Sequence, residues 1–314
     1  MICKGFLLSF MLTLILGLPW IWILRRLKMG QMVRSDGPQT HWGKKGTPTM
    51  GGLIFLSAIS LALLLDPTPL NVFALLLTWG YALIGLADDA LKVVFRRPLG
   101  LYARQKLGGQ LFLGLVAGLL AVSYLHRGSE IITPVLKCSW NLGWFYPLFA
   151  ALVLTATANA LNLTDGLDGL AAGVTFWVAG AYILISRAAG QEDLALFAAL
   201  VAGGCLGFLV YNFHPARVFM GDTGSLALGA AVAFMAIMTK TELALILLGG
   251  VYVLEALSVI LQVASFRLTG KRIFKMSPLH HHFELGGWPE TGVVLFFWLL
   301  AFICVGAGLY ILSL

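Results

Sequence analysis

The segment GFLLSFMLTLILGLPWIWIL, residues 5–24, decides how this chain must be read. It carries no charge and is about 20 residues long, enough for a helix to cross a bilayer core of about 30 Å. A secretory leader has a shorter apolar core and small residues at its cleavage site, whereas Pro19, Trp20 and Trp22 occupy that end here. We therefore read it as a first transmembrane helix that is kept. The rest of the 314 residues repeat the pattern, with 59% hydrophobic and 11% charged, against roughly a quarter charged in a soluble domain. The apolar residues come in unbroken runs without period-two alternation, which favours membrane helices over a barrel. Nine further runs, at roughly 49–65, 70–87, 107–125, 144–161, 169–186, 194–211, 225–239, 241–265 and 291–313, complete the count. The expectation is an all-α, polytopic membrane protein with ten transmembrane helices, forming a single domain over residues 1–314.

Ten spans put both termini on one side and sort nine loops into two sets. The odd-numbered loops (25–48, 88–106, 162–168, 212–224 and 266–290) hold sixteen Lys and Arg; the even ones hold four, Arg127, Lys137, Arg187 and Lys240. Positive charge marks the cytoplasmic side, so the odd loops are predicted cytoplasmic and both termini periplasmic. Acids follow the same division: Asp36, Asp88, Asp89, Asp165, Asp168, Asp222, Glu284 and Glu290 lie in or beside the odd loops. Cys3, Cys138, Cys205 and Cys304 are scattered and suggest neither a metal framework nor disulfides.

Asp88 and Asp89 in GLADDALKV close the third span, where a helix C-terminus disfavours anions. A divalent metal would offset that, as would Lys92, four residues on. In NALNLTDGLDGLAAG (159–173), Asn159, Asn162, Asp165 and Asp168 recur every three residues, with Gly166 and Gly169 allowing close backbone approach. Such a set suits a sugar, a nucleobase or a hard cation; alternatively Asp168 caps the sixth span. In YNFHPARVFMGDTGSLALG, Asp222 either caps the eighth helix or, with Asn212 nearby, holds magnesium against phosphate oxygens. Phe219 there either stacks on a base or anchors at the membrane interface. His280, His281 and His282 are consecutive and do not share a helix face, which argues against a three-histidine zinc site. Lys44, Lys45, Arg104 and Lys106 face either an anionic substrate or lipid headgroups. Together, oxygen ligands and cations on one membrane face are the parts that phosphoryl transfer requires.

GTPTMGG, GLADDALKVV, NLTDGLDGLA, FMGDTGSLALG and PLHHHFELGGWPE occur in one order from the second span to the tenth. By these motifs the chain resembles the polyprenyl-phosphate N-acetylhexosamine-1-phosphate transferases. The histidine motif points to the branch handling phospho-N-acetylmuramoyl-pentapeptide over relatives that use UDP-N-acetylglucosamine. The resemblance implies transfer from UDP-MurNAc-pentapeptide to undecaprenyl phosphate, giving lipid I and UMP in peptidoglycan synthesis, with Mg²⁺ as cofactor. It also implies a multi-pass protein of the bacterial inner membrane with a cytoplasmic active site, acting as a homodimer and binding nucleoside antibiotics; nucleic acid is not an expected partner. Carried over by motif, Asp88, Asp89, Asp222, Lys106, His281 and His282 are the implied catalytic residues, Asp222 being the magnesium ligand. Lys44, Asn162, Asp165, Asp168, Asn212 and Phe219 match the nucleoside-binding region, with Phe219 stacking on uracil. Direct attack by the lipid phosphate and a phosphorylated Asp intermediate both remain open, direct attack being favoured. A secondary transporter is the rival class, but such proteins place ionisable groups mid-span, and here Glu255 alone does so. Its role is open, as is that of loop 125–143.

Overall fold

Small residues recur along the first helix at Gly5, Ser9, Thr13 and Gly17, and all four are buried. Leu7, Met11, Ile15, Leu18 and Trp22 are exposed on the opposite side. Between helices in lipid, packing rather than hydrophobicity drives association, so small residues mark the protein-facing side. The computed structural model, which describes residues 1–30, 46–95, 100–136 and 138–313, bears this out. Helix α1 (Ile2–Arg26) lies along α7 (Glu192–Asn212), and the Ser9 hydroxyl donates to the Leu200 carbonyl at 2.7 Å.

The chain continues through α2 (Gly52–Leu63), α3 (Pro69–Val93) and α4 (Ala103–Ser123) to a hairpin of β1 (Glu130–Ile132) and β2 (Ser139–Asn141). Then come α5 (Tyr146–Thr164), α6 (Leu170–Ala188), α7, α8 (Gly221–Met238), α9 (Leu245–Leu248), α10 (Gly250–Thr269), α11 (Leu279–Glu284) and α12 (Glu290–Leu312). Helix α8 forms the centre, with every residue from Thr223 to Met238 buried among α3, α5, α6 and α2. A helix apolar all round is an interior helix, and α8 carries Asp222 in its first turn.

Among the described residues, nine helices are long and apolar enough to cross a membrane, one fewer than the ten expected. The second predicted span shrinks to the 12 residues of α2, about 18 Å at 1.5 Å per residue. Its first residues form backbone pairs instead: Phe219 N donates to Pro48 O (2.8 Å), Gly51 N to Phe219 O (2.8 Å) and Gly52 N to Met220 O (3.0 Å). A Cβ on Gly51 would meet the Phe219 carbonyl, and one on Gly52 would meet Gly224. The glycines let GTPTMGG lie against FMGDTGS. The ninth predicted span is interrupted at Gly249, between α9 and α10. Loop 125–143, given no role from the sequence, contains the β-hairpin.

Candidate active site

Asp88 and Asp89 are adjacent in the last turns of α3, yet they point to different partners. Asp89 turns to the start of α8, where its carboxylate accepts from Thr223 N (3.0 Å), the Thr223 hydroxyl (2.7 Å) and Asp222 N (3.2 Å). The first amides of a helix have no intrahelical acceptor, so Asp89 caps α8 from another helix. Gly221 makes this possible. Its φ is +74°, and a Cβ would run into Asp89 Oδ2 and Thr49 Oγ1. Asp88 accepts from Leu101 N (2.7 Å) and pairs with Lys92 Nζ (2.5 Å).

Asp222 projects between the two. Its Oδ2 receives Lys106 Nζ at 2.6 Å and Lys92 Nζ at 3.2 Å, and its Oδ1 receives Asn162 Nδ2 at 3.0 Å. Asn162 also donates to Ser225 Oγ (2.8 Å). Asp88, Asp89 and Asp222 each offer an oxygen within 4.8 Å of the others. Three carboxyl groups face two ammonium groups, and the acidic donor set is all oxygen, the preference of hard divalent cations. Lys92, read from the sequence as a helical salt-bridge partner of Asp88, proves to bridge Asp88 and Asp222.

Asp165 follows α5 directly. Crowding by protein raises its carboxyl well above the ordinary value of 3.8, and Asp222, Asp89 and Asp168 push it the same way. Above that value the unfolded chain ionises while the folded carboxyl keeps its proton, so this site loses stability as pH rises. In chelator, Asp165→Asn is expected to raise the thermal midpoint more at pH 8 than at pH 5; equal increments would refute the assignment.

Asp168 and Asn212 serve a second group. Asp168 does not cap α6, whose N-cap is Gly169 in the left-handed region (φ +83°). Its Oδ2 instead accepts from Ala216 N (3.0 Å) and lies 3.1 Å from His214 Nδ1, while its own N–H donates to Glu290 Oε1 (2.9 Å). Asn212 accepts from Gly169 N (3.0 Å) and donates to Val218 O (2.9 Å). These bonds tie the 165–169 turn, the 212–218 loop and the start of α12 together, and so fix the approach to Phe219, which is half-buried. Sequence reasoning missed His214 and left Glu290 without a role; neither has a spacing that would have marked it.

The three histidines take different polar partners. His281 Nδ1 lies 2.7 Å from Glu284 Oε2, and His282 Nδ1 accepts from Lys275 N (3.2 Å). His280 is fully buried beside Glu255. Among the described residues, no histidine of this run belongs to a cluster able to hold a metal. Lys44 lies outside the described residues.

Residues 71–240 match the family described as glycosyl transferase family 4, and residues 44–56 match signature 1 of the phospho-N-acetylmuramoyl-pentapeptide-transferases. The phospho-N-acetylmuramoyl-pentapeptide-transferase of Moorella thermoacetica is 66% identical over 99% of this chain and 98% of its own length. The chain belongs to this transferase family. The transferases of Heliobacterium modesticaldum (54% identical, 97% and 95% of the two chains) and Desulforamulus reducens (52%, 96% and 93%) are also similar over nearly their whole lengths. The glycosyl transferase family 4 match spans Asp88, Asp89, Lys106, Asn162, Asp165, Asp168, Asn212, Phe219 and Asp222. The transferase signature covers the glycines that pair with Phe219 and Met220.

Proposed function

We propose that this chain transfers phospho-N-acetylmuramoyl-pentapeptide from UDP-MurNAc-pentapeptide to undecaprenyl phosphate, releasing UMP and forming lipid I for peptidoglycan synthesis. The observation that carries this reading is the meeting of Asp88, Asp89 and Asp222 with Lys92 and Lys106, in a chain of this family. The carboxylate set fits Mg²⁺, with Asp222 as ligand and Asp88 beside it. When bound, the ion supplies charge neutralisation at phosphate oxygens. Lys92 and Lys106, here on Asp222, would serve as cations for the same phosphates.

The acceptor needs little activation, since a phosphate monoester has a second pKa of about 6 and is mainly dianionic near neutrality. Asp88 therefore serves chiefly to orient it and to take any residual proton. An oxygen of the lipid phosphate forms a bond to the β-phosphorus of the nucleotide. The bond from that phosphorus to the bridging oxygen breaks, and UMP leaves with the electron pair. Positioning and charge stabilisation carry such a step. Asn162, Asp165, Asp168, Asn212, Phe219 and Lys44 form the nucleoside side in this reading, with Phe219 stacked on uracil, and His281 and His282 are assigned to the catalytic set.

The protein is placed in the bacterial plasma membrane, with α2 as a tenth and short crossing, both termini outside and the site on the cytoplasmic face. Two features support this. The bonds described above join odd-numbered loops, while even-numbered loops meet each other through Arg127 with Glu242 and Lys240 with Glu130. A homodimer and nucleoside antibiotics in the uridine pocket are the expected associations. Phe219→Ala should raise KM for the nucleotide about tenfold, as loss of one base–aromatic stack does, with a smaller change in kcat. An unchanged KM would remove Phe219 from the pocket. UMP release from UDP-MurNAc-pentapeptide plus undecaprenyl phosphate, with and without Mg²⁺, tests the whole reading; metal-independent release, or none, would defeat it.

A further inference from the structure

Glu255, on α10, and His280, on α11, have no solvent exposure. Glu255 Oε2 lies 3.2 Å from His280 Nδ1. Neither carboxylate oxygen and neither ring nitrogen has a hydrogen-bond partner among the described residues, so the 3.2 Å approach is a close acid–base contact rather than a formed hydrogen bond. Polar groups buried without other partners are costly to separate from the one polar neighbour they have, so each group favours keeping the other in place. The far edge of the imidazole closes on Gly166: a Cβ there would run into His280 Nε2. Gly166 directly follows Asp165, so the ring fills the space that a side chain on this turn would need. His281 packs edge-on against the same ring, with centroids 4.2 Å apart.

We propose that Glu255 and His280 form a buried strut, running from α10 through α11 to the Asp165–Gly166 turn, and act as positioning residues for the reaction. Neither opens on the cleft. With Glu255 packed against Nδ1 and Gly166 against Nε2, the ring is wedged between α10 and the turn that presents Asp165, and keeps that turn in place beside Asp222. The transporter-like feature of the sequence, a lone carboxyl within a span, thereby becomes part of the scaffold of the site. This strut rests on the reading of Asp165 as a substrate-binding group.

A double-mutant cycle on the full-length protein, reading kcat and KM for UMP release per folded enzyme, tests it. Glu255→Leu removes the acceptor facing Nδ1 and is expected to lower kcat/KM about tenfold or more. Glu255→Gln keeps an acceptor there and should recover most of that loss. Combined with Asp165→Asn, Glu255→Leu should add little, because both act through the same turn. Multiplying losses would overturn the strut, as would a Gln variant as impaired as the Leu variant, or a Leu variant with normal turnover. A purely structural pair would instead lower the yield of folded protein and leave turnover per folded enzyme unchanged. Should Glu255→Leu not accumulate, His280→Phe, which preserves the ring's volume, takes its place in the cycle. If Asp165→Asn itself turns over normally, the substrate-binding reading fails, whereas a damaging Asp165→Asn with multiplying losses defeats the strut alone.

Discussion

Asp222→Asn is expected to lower kcat by at least about 10²–10³-fold, the usual cost of removing a group that stabilises charge in the transition state. The reason lies in how many partners converge on this side chain. Its two oxygens hold Lys92, Lys106 and Asn162, and they complete the oxygen set with Asp88 and Asp89. An amide keeps the volume and can accept through one atom, but it carries no charge, and its nitrogen faces a lysine where an oxygen stood. The Mg²⁺ concentration needed for half-maximal UMP release should rise together with the loss of kcat. The fold should survive, because α8 is capped by Asp89 and packed along its whole length, neither of which depends on the Asp222 carboxylate. Ordinary activity in this variant would place the metal elsewhere.

Asp89→Ala should be damaging in a different way. The Asp89 carboxylate is 4% exposed and accepts three hydrogen bonds from Asp222 and Thr223. Its removal leaves two backbone amides and a hydroxyl without acceptors in a buried setting, at a cost of about 1–3 kcal/mol for each donor that water cannot reach. The protein should therefore lose several degrees of thermal midpoint in detergent as well as about 100-fold in kcat, since the first turn of α8 carries Asp222. Asp222→Asn should show the kinetic loss without the thermal one. A variant Asp89→Ala with normal stability but no turnover would recast Asp89 as a direct participant rather than the cap of α8.

Some elements were legible in the chain itself, others were not. The long apolar runs gave α1, α3 to α8 and α12 with boundaries shifted by six residues or fewer, because one-dimensional hydrophobicity is enough to specify a helix in lipid. The start of α2 was placed three residues early, since the backbone at Pro48, Gly51 and Gly52 pairs with Phe219 and Met220 instead. The break at Gly249 was missed because its flanks are equally apolar. Asp88, Asp222, Lys106 and Asn162 were expected in one site and are found together. Asp168 and Asn212 were expected to face a nucleoside; in the fold they also tie loops together through backbone groups, His214 and Glu290. No local pattern distinguishes a ligand-facing carboxylate from one that ties two loops.

From the amino-acid order alone followed the membrane class, the helical character and the gathering of acids with cations in the odd-numbered loops. Each depends on composition or spacing over a few turns, which the chain carries with it wherever it folds. The division of labour among the acids was a matter for the tertiary structure. Asp88 and Asp89 are chemically identical neighbours, and helical geometry sends one to Lys92 and the other to the amides of α8. Nothing in the sequence pairs Glu255 with His280; the placement of α11 against α10 brings the two side by side. Such roles arise from contacts between segments many residues apart, and a carboxylate takes its function from whichever donors the packed helices bring within about 3 Å.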